Sequence, residues 1–371
     1  STPLNKALKA GSGEQLREVE LGYADIAYLQ YTGGTTGVSK GAMLSHRNMV
    51  YNVQQTITWQ DDAYEGVEPI IAITALPLYH IFSLEGNCLT VMAQGGQNVL
   101  ITNPRDFEAF AKEIARFEFN LFTGVNTMFA SLMHTPSFDK IDFGHMRVSI
   151  GGGMAVQPAV AEEWKKKTGQ TILQGYGLTE TSPVAICCKM GSEFDGSIGL
   201  PVPSTDVMIA GDDGNPLPLN EVGEICIKGP QVMEGYWQRP KETAEVMLPG
   251  GWLRTGDVGR MDEGGYIWIE DRKKDMILVS GFNVYPNEIE NVVVELDGVL
   301  EAAAIGVPDE RSGEVVKIFA VRKDDSLTEQ DVLDHCRENL TGYKRPKHVE
   351  FRDELPKTNV GKILRRALRD S

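Results

Sequence analysis

A stretch rich in glycine and threonine, YTGGTTGVSKG (31–41), is the part of the sequence whose residue types most directly suggest chemistry. It holds four glycines, three threonines, one serine and a single lysine, Lys40. Glycines let backbone N–H groups converge on an anion, while hydroxyl and ammonium groups add donors and charge. The stretch therefore predicts a phosphate-binding loop. A flexible surface loop is the alternative, although β-branched threonines stiffen a chain that a linker would keep loose.

The segments on either side of this loop indicate the elements that would hold it. Residues 25–30 alternate as a strand does, and the apolar residues of segment 43–55 fall near helical spacing. We therefore expect the loop to join a strand to a helix. It differs from the common P-loop pattern, because glycine follows Lys40 instead of preceding it.

Strand-like and helix-like segments alternate through the first two thirds of the chain. Residues 70–78 and 146–153 are predicted strands, and residues 103–117 and 157–169 are predicted helices. Pro104 is expected at the first position of one helix, and Pro158 and Gly169 are expected to open and close the other. This alternation predicts parallel strands with crossover helices.

Two further regions differ in their predicted secondary structure. From about Asp195 to Ile269, short strands and turns predict an antiparallel, barrel-like portion. After the charged segment EDRKKD, a helix over 286–296, strands over 302–307 and 315–321, and a helix capped by Thr328 predict a compact α+β unit. We expect an α/β protein with a large domain over 1–271, a hinge at 272–275 and a C-terminal domain over 276–371.

The net charge of the chain limits the kinds of partner that it is expected to bind. The formal charge is −16 over 371 residues, which argues against nucleic acid as a partner. Segment 343–369 is locally basic, with nine Lys or Arg against three Asp or Glu. Charge alone favours a solvated face for that segment.

The five cysteines form no CxxC pair and no pattern of metal-ligand spacing. An odd, scattered set of this kind predicts reduced thiols in a cytosolic protein. Because no apolar run approaches the roughly 20 residues that cross a bilayer and no signal peptide is visible, we expect a cytoplasmic location.

A series of motifs in a fixed order is more specific than any one loop. After the glycine-rich loop come LPLYHIFSLEG (76–86), SIGGGMAV (149–156), GYGLTETSP (175–183), GEICIKGPQVMEGYW (223–237), a long block over 251–290 and LPKTNVGKILRR (355–366). In this order they resemble the adenylate-forming superfamily of acyl-CoA synthetases, luciferases and peptide-synthetase adenylation domains. The block TGDVG to YPNEIE closely resembles bacterial long-chain fatty acid–CoA ligases. Members carry roughly a further third of chain before the loop, so the resemblance implies a truncated large domain followed by a mobile lid.

The resemblance implies a two-step reaction. A fatty carboxylate attacks the α-phosphate of ATP, and the thiol of coenzyme A then displaces AMP. The loop would hold the β- and γ-phosphates through Thr32, Gly33, Gly34, Thr35, Thr36 and Gly37, with Lys40 adding positive charge. Thr32 and Glu180 would lie at a Mg²⁺ ion, since a hard cation prefers oxygen ligands.

Other matching positions would contact the nucleotide. The resemblance implies that Tyr176 stacks on adenine, although a core tyrosine is nearly as well supported by the residue alone. It implies that Thr179 meets the α-phosphate and that Asp257 accepts hydrogen bonds from the ribose hydroxyls. The glycines matching the nucleotide-binding motifs are Gly152, Gly153, Gly175 and Gly177.

The lid would supply the remaining groups. Lys362 matches the family lysine that contacts the α-phosphate and the reacting carboxylate, although a place in a basic, solvated tail is the alternative from spacing alone. Lys274 matches the pivot, and Arg272 would contact ribose or phosphate. After rotation, Ser280 and Gly281 would approach the coenzyme A tunnel.

Fewer residues of the sequence bear on the identity of the substrate. Apolar side chains surround His80, and no acid follows it to pair with an α-ammonium group, which favours an alkyl chain over an amino acid. His80 would contact the substrate near its carboxylate. The alternative that His80 is a histidine packed in the core is equally well supported. The alternatives to a long-chain fatty acid–CoA ligase are a fatty acyl-AMP ligase and a nucleotide-binding fragment without activity. Peripheral membrane contact through the basic tail and a homodimer, a state known in the family, are compatible with the resemblance.

Overall fold

The fold is described by a computed structural model over residues 3–15, 18–32, 39–323, 325–358 and 361–369. The first helix, α1 (Leu4–Gly11), has no buried residues. Strands β1 (Ile26–Tyr31) and β2 (Gly41–Ser45) then form an antiparallel hairpin, with Tyr31 opposite Gly41. The predicted strand over 25–30 is therefore confirmed.

The element after the glycine-rich loop differs from the prediction. Residues 41–45 form β2, and helix α2 (His46–Gln60) begins only after it. Ser45 caps this helix, since its hydroxyl accepts a hydrogen bond from the Asn48 N–H and the Asn48 side chain accepts from the Ser45 N–H. The loop thus joins two strands of a hairpin, and the predicted helix over residues 43–45 is wrong.

A seven-stranded sheet forms the centre of the molecule. Its strands, in spatial order, are β4 (Gln97–Leu100), β3 (Ile71–Thr74), β5 (Leu121–Gly124), β6 (Val148–Gly152), β7 (Ile172–Gly177), β8 (Val184–Cys187) and β9 (Leu200–Pro201). The first five are parallel and the last two antiparallel. This arrangement confirms the predicted alternation of parallel strands and helices.

Helices cover this sheet and build its core. They are α3 (Ile81–Ser83), a π-helical turn (Leu84–Leu89), α4 (Thr90–Ala93), α5 (Phe107–Ile114), α6 (Asn126–Met133) and α7 (Pro158–Thr168). Phe122 of the sheet packs with Phe129 and Trp164, whose ring centroids lie 4.9 Å apart. Helix α7 opens and closes as predicted. Helix α5 starts later than predicted, because the Asp106 carboxylate caps it and leaves Pro104 in the preceding turn.

The second large sheet is antiparallel, as expected for residues 195–269. It contains β10 (Asp206–Ala210), β11 (Gly223–Lys228), β12 (Met247–Leu248), β13 (Trp252–Met261) and β14 (Ile267–Arg272), with the short helix α8 (Pro240–Val246) beside it. Strands β13 and β14 pair so that Asp257 lies opposite Arg272.

The C-terminal residues form a third sheet with its own hydrophobic core. Its elements are β15 (Ile277–Val279), β16 (Phe282–Val284), α9 (Pro286–Val294), β17 (Val299–Asp309), β18 (Gly313–Arg322), α10 (Glu329–Asn339), β19 (His348–Phe351) and α11 (Arg365–Arg369). Thr328 caps α10 as predicted, whereas α9 ends two residues before the predicted Leu296. The α+β character is confirmed, and the boundary at 272–275 stays a prediction.

Two further features bear on the sequence predictions. All five cysteines are free thiols. Within the described ranges, no helix combines the length and the apolar character that crossing a bilayer requires.

Candidate active site

A cavity of about 1310 Å³ lies among the hairpin, the two large sheets and the C-terminal unit. Thirteen of the predicted site residues line it: Thr32, Lys40, His80, Gly153, Gly175, Tyr176, Gly177, Thr179, Glu180, Asp257, Arg272, Lys274 and Lys362. The fold therefore brings together side chains that are more than 300 positions apart in the chain.

The remaining predicted residues fall into two groups. Gly33, Gly34, Thr35, Thr36 and Gly37 lie outside the described residues. Gly152, Ser280 and Gly281 are described but do not line the cavity. A Cβ at Gly152 would lie 3.0 Å from both the Gly175 carbonyl oxygen and the Phe82 ring, so close packing accounts for this glycine.

The hairpin holds the two described ends of the glycine-rich loop together. The Thr32 N–H donates to the Lys40 carbonyl oxygen over 2.8 Å, and the Ser39 hydroxyl donates to the Thr32 carbonyl oxygen over 2.5 Å. The ammonium group of Lys40 lies 4.7 Å from the centroid of the Tyr236 ring. A lysine charge is thus fixed where the loop opens into the cavity.

Glu180 lies in a short turn (Thr179–Thr181) that follows strand β7. Gly177 ends β7 just before this turn, and a Cβ there would lie 1.8 Å from the Pro183 carbonyl oxygen, so only glycine fits. The Tyr236 hydroxyl donates to Glu180 Oε1 over 2.6 Å. Within the described residues there is no cluster of three metal-ligating side chains. One carboxylate and the nearby hydroxyls fit a cation that reaches the site together with phosphate oxygens.

Tyr176 and Asp257 form a buried pair that also lines the cavity. The Tyr176 hydroxyl donates to Asp257 Oδ2 over 2.7 Å, and Arg272 Nε pairs with Asp257 Oδ1 at 2.9 Å. Burial, then the charge of Asp257, raises the pKa of Tyr176 well above its usual value. Tyr176 belongs to the hydrophobic core and also lines the cavity, so both interpretations of this residue find support.

Lys362 reaches the cavity from the C-terminal unit. Lys357 and Ile363 form an antiparallel bridge, and Thr127 Oγ1 of helix α6 donates to the Gly361 carbonyl oxygen over 3.4 Å. Burial, followed by the positive charge of Arg272, lowers the pKa of Lys362 to about 8. Burial and the charge of Lys362 in turn lower the pKa of His80. The ammonium group of Lys362 therefore lies close enough to Arg272 and His80 for their charges to affect one another.

Arg365 is a residue of this region to which the sequence analysis assigned no role. Its guanidinium bonds to Glu290 at 3.0 and 2.8 Å and to Asn287 Oδ1 at 2.7 Å. Asp271, fully buried at the end of β14, accepts from the Asn287 N–H over 2.8 Å. Burial raises the pKa of Asp271 to about 6, against the opposing charge of Arg365. This cluster joins the C-terminal unit to the second sheet. In the sequence, this cluster is indicated only by the arginines that follow Lys362.

Ser280 and Gly281 form the two-residue turn between β15 and β16. Both have positive φ, 52° and 84°, which fits the tight hairpin turns that favour glycine. The turn is exposed in this arrangement. A role at a coenzyme A tunnel stays a prediction for these two residues.

Comparisons with known proteins agree with this geometry. The model of the AMP-binding enzyme family matches residues 2–237, and that of the AMP-binding enzyme C-terminal domain matches residues 288–362. A long-chain-fatty-acid–CoA ligase of Escherichia coli O6:H1 is 57% identical over 366 residues, which cover 98% of this chain and 65% of that protein. The chain thus spans just under two thirds of the length of this curated relative.

Solved structures of similar fold include two of the same relative. The ATP-bound crystal structure of MatB from Rhodopseudomonas palustris is 34% identical and gives a TM-score of 0.89 over 98% of this chain and 72% of that one. The apo crystal structure of MatB, at 33% identity and the same coverage, gives a TM-score of 0.75. Taken over the whole chain, the present structure is therefore more similar to the ATP-bound crystal structure than to the apo one. The ordered motifs, the lined cavity and the family matches lead to one conclusion: the chain belongs to the AMP-binding enzyme family.

Proposed function

We propose that this chain activates a long-chain fatty acid with ATP, forming an acyl-adenylate and pyrophosphate, and then transfers the acyl group to the thiol of coenzyme A. The observation that carries the proposal is the convergence on one cavity of Lys40, Lys362 and Arg272 with Glu180 and Asp257. A fatty carboxylate and a triphosphate repel each other, so a site that joins them needs fixed positive charge.

The polar groups divide into three roles in this proposal. Lys40 and Thr32 hold the outer phosphates, and Asp257 accepts from the ribose beside Tyr176. Lys362 sits at the α-phosphate and the attacking carboxylate, where negative charge builds up in the transition state. Arg272 orients Asp257 through their 2.9 Å contact.

Magnesium enters the proposal as a partner of the nucleotide. Glu180 and Thr32 would hold it together with phosphate oxygens, since Mg²⁺ sites commonly combine one or two carboxylates with phosphates. When bound, the ion would neutralise phosphate charge. Glu180 has one carboxylate oxygen, Oε1, engaged by Tyr236, so the second oxygen is the one available to the ion.

The apolar part of the cavity supports a substrate with an alkyl chain. Its lining side chains include Leu76, Ile81, Phe82, Leu121, Val125, Ile150, Met154, Ile198 and Val202. The 57% identity to a long-chain-fatty-acid–CoA ligase supports the same substrate class. His80, which precedes α3, lines the same cavity and is close enough to Lys362 for its charge to act on the imidazole, which supports a role near the carboxylate.

A cytoplasmic location is part of the proposal, whereas membrane contact through the basic tail finds less support. Within segment 343–369, six cations pair with carboxylates: Lys344, Lys347, Arg352, Lys357, Arg365 and Arg369. Internal pairing of this kind reduces the charge that an anionic lipid surface would attract.

The test is a calorimetric titration with Mg·ATP, followed by a thioester assay with palmitate and coenzyme A. We expect heat of binding in the titration and a thioester product in the assay. Binding of nucleotide without any thioester would contradict the ligase activity and leave a nucleotide-binding protein. Adenylate that accumulates and is not transferred to coenzyme A would instead indicate an acyl-AMP ligase.

A further inference from the structure

We propose that Tyr236 is a positioning residue that sets both Glu180 and Lys40 for a metal-bound phosphate. The inference rests on the proposed function, because it concerns the phosphate end of that site. It adds a role for a tyrosine in a segment, MEGYW (233–237), whose residue types carry no obvious chemistry.

The backbone around Tyr236 connects the two groups it would position. The Met43 N–H donates to the Gly235 carbonyl oxygen over 2.9 Å, and the Trp237 N–H donates to the Gly41 carbonyl oxygen over 2.8 Å. On the other side, the Met233 N–H donates to the Glu180 carbonyl oxygen over 2.8 Å. The segment thus extends the β1–β2 hairpin and holds the Glu180 turn against it.

The hydroxyl of Tyr236 acts on Glu180. It lies 2.6 Å from Glu180 Oε1, a short distance typical of a hydroxyl that donates to a carboxylate. The bond fixes one oxygen of Glu180 and thereby orients the other.

The ring of Tyr236 acts on Lys40. The ammonium group lies 4.7 Å from the ring centroid, within the range of a cation–π contact. Only 7% of the Tyr236 surface is exposed, so packing holds the ring in place. One rigid side chain therefore sets the separation between an anionic and a cationic group at the mouth of the loop.

The two contacts predict different effects when they are removed one at a time. Tyr236→Phe keeps the ring and deletes the bond to Glu180, so it should weaken binding of ATP only when Mg²⁺ is present. We expect an affinity loss of about 10-fold, the effect of removing one hydrogen bond to a charged group. Tyr236→Leu also deletes the ring and should weaken binding of ATP in EDTA as well.

Calorimetric titration of the chain with ATP, in Mg²⁺ and in EDTA, measures these effects. Tyr64→Phe is the matched control, since the buried Tyr64 hydroxyl has no hydrogen-bond partner among the described residues and Tyr64 does not line the cavity. It should bind Mg·ATP as the wild type does. Thermal unfolding of each variant checks that the fold is retained.

A double-mutant cycle with Glu180→Gln tests whether Tyr236 affects Mg·ATP affinity through Glu180. If Tyr236 acts through Glu180, the Phe substitution should lose its effect on Mg·ATP affinity in the Glu180→Gln background. Wild-type affinity in Tyr236→Phe, or an equal loss with and without Mg²⁺, would overturn the inference. Absence of binding by the wild-type chain would instead reject the proposed function, and this inference with it.

Discussion

Lys362 lies in surroundings that disfavour its own charge. Its ammonium group is surrounded by protein and lies near Arg272, and these effects lower its pKa from 10.5 to about 8. Such a group destabilises the fold when it is charged, and it would be stabilised by a bound polyanion. This trade-off is typical of a residue retained for function.

Replacing Lys362 by Met should therefore stabilise the chain at pH 7 while removing adenylation. Because the folded-state pKa lies below the unfolded one, the ammonium costs stability below about pH 8, and the cost disappears as the pH rises towards 10.5. We expect a gain of about 1–3 kcal/mol at pH 7 that shrinks at higher pH. Denaturation at several pH values measures it, with the exposed Lys166→Met as control. A loss of stability of Lys362→Met at pH 7 would contradict the conclusion that the surroundings of Lys362 disfavour its charge.

Residue types in an ordered set of motifs were enough to nominate thirteen of the residues that line the cavity. Glu180, Asp257 and Lys362 were predicted because their motifs are specific, and all three line it. Tyr236 was missed, because a tyrosine becomes informative only when folding brings it to a carboxylate 56 positions away. Contacts of this range have no signature in a single sequence.

At the scale of elements, the hairpin shows where sequence patterns reach their limit. The segment GAMLS is short, and a short apolar run fits either a strand or the start of a helix. Pairing with β1 decides the outcome, because Gly41 to Ser45 all find partners across the hairpin. Longer elements with end signals, such as α7 with Pro158 and Gly169, were predicted correctly.

The cluster around Arg365 gives a prediction for the contact between elements. Arg365→Ala would leave the carboxylates of Glu290 and Asp271 buried without their main cation. We expect a loss of about 3–5 kcal/mol, the usual cost of breaking a buried ion pair from one side. Denaturant unfolding of the C-terminal unit measures this loss.

The matched control is Arg337→Ala, which removes an exposed ion pair with Asp334 on helix α10. Its effect should stay below about 1 kcal/mol, because exposed pairs contribute little. Equal effects of the two substitutions would mean that the Arg365 cluster does not hold the C-terminal unit in place.

At the scale of the whole molecule, the account depends on how the C-terminal unit meets the large sheets. The cavity contains residues from both, and the structure as a whole gives a higher TM-score against ATP-bound MatB than against apo MatB. Sequence reasoning predicted the separate α+β unit and its lysine. It left open which arrangement the unit adopts, because that depends on contacts such as Thr127 with Gly361 that no local pattern encodes.

The most direct test of the central claim measures the two half-reactions of Lys362→Ala separately. Exchange of pyrophosphate with ATP reports adenylation, and we expect it to fall by about 10²–10³, the usual effect of losing one transition-state contact. Thioester formation from supplied acyl-adenylate should stay close to that of the wild type. Equal losses in both half-reactions, or unchanged exchange, would contradict the claim that Lys362 is the cation brought to the nucleotide for the first step alone.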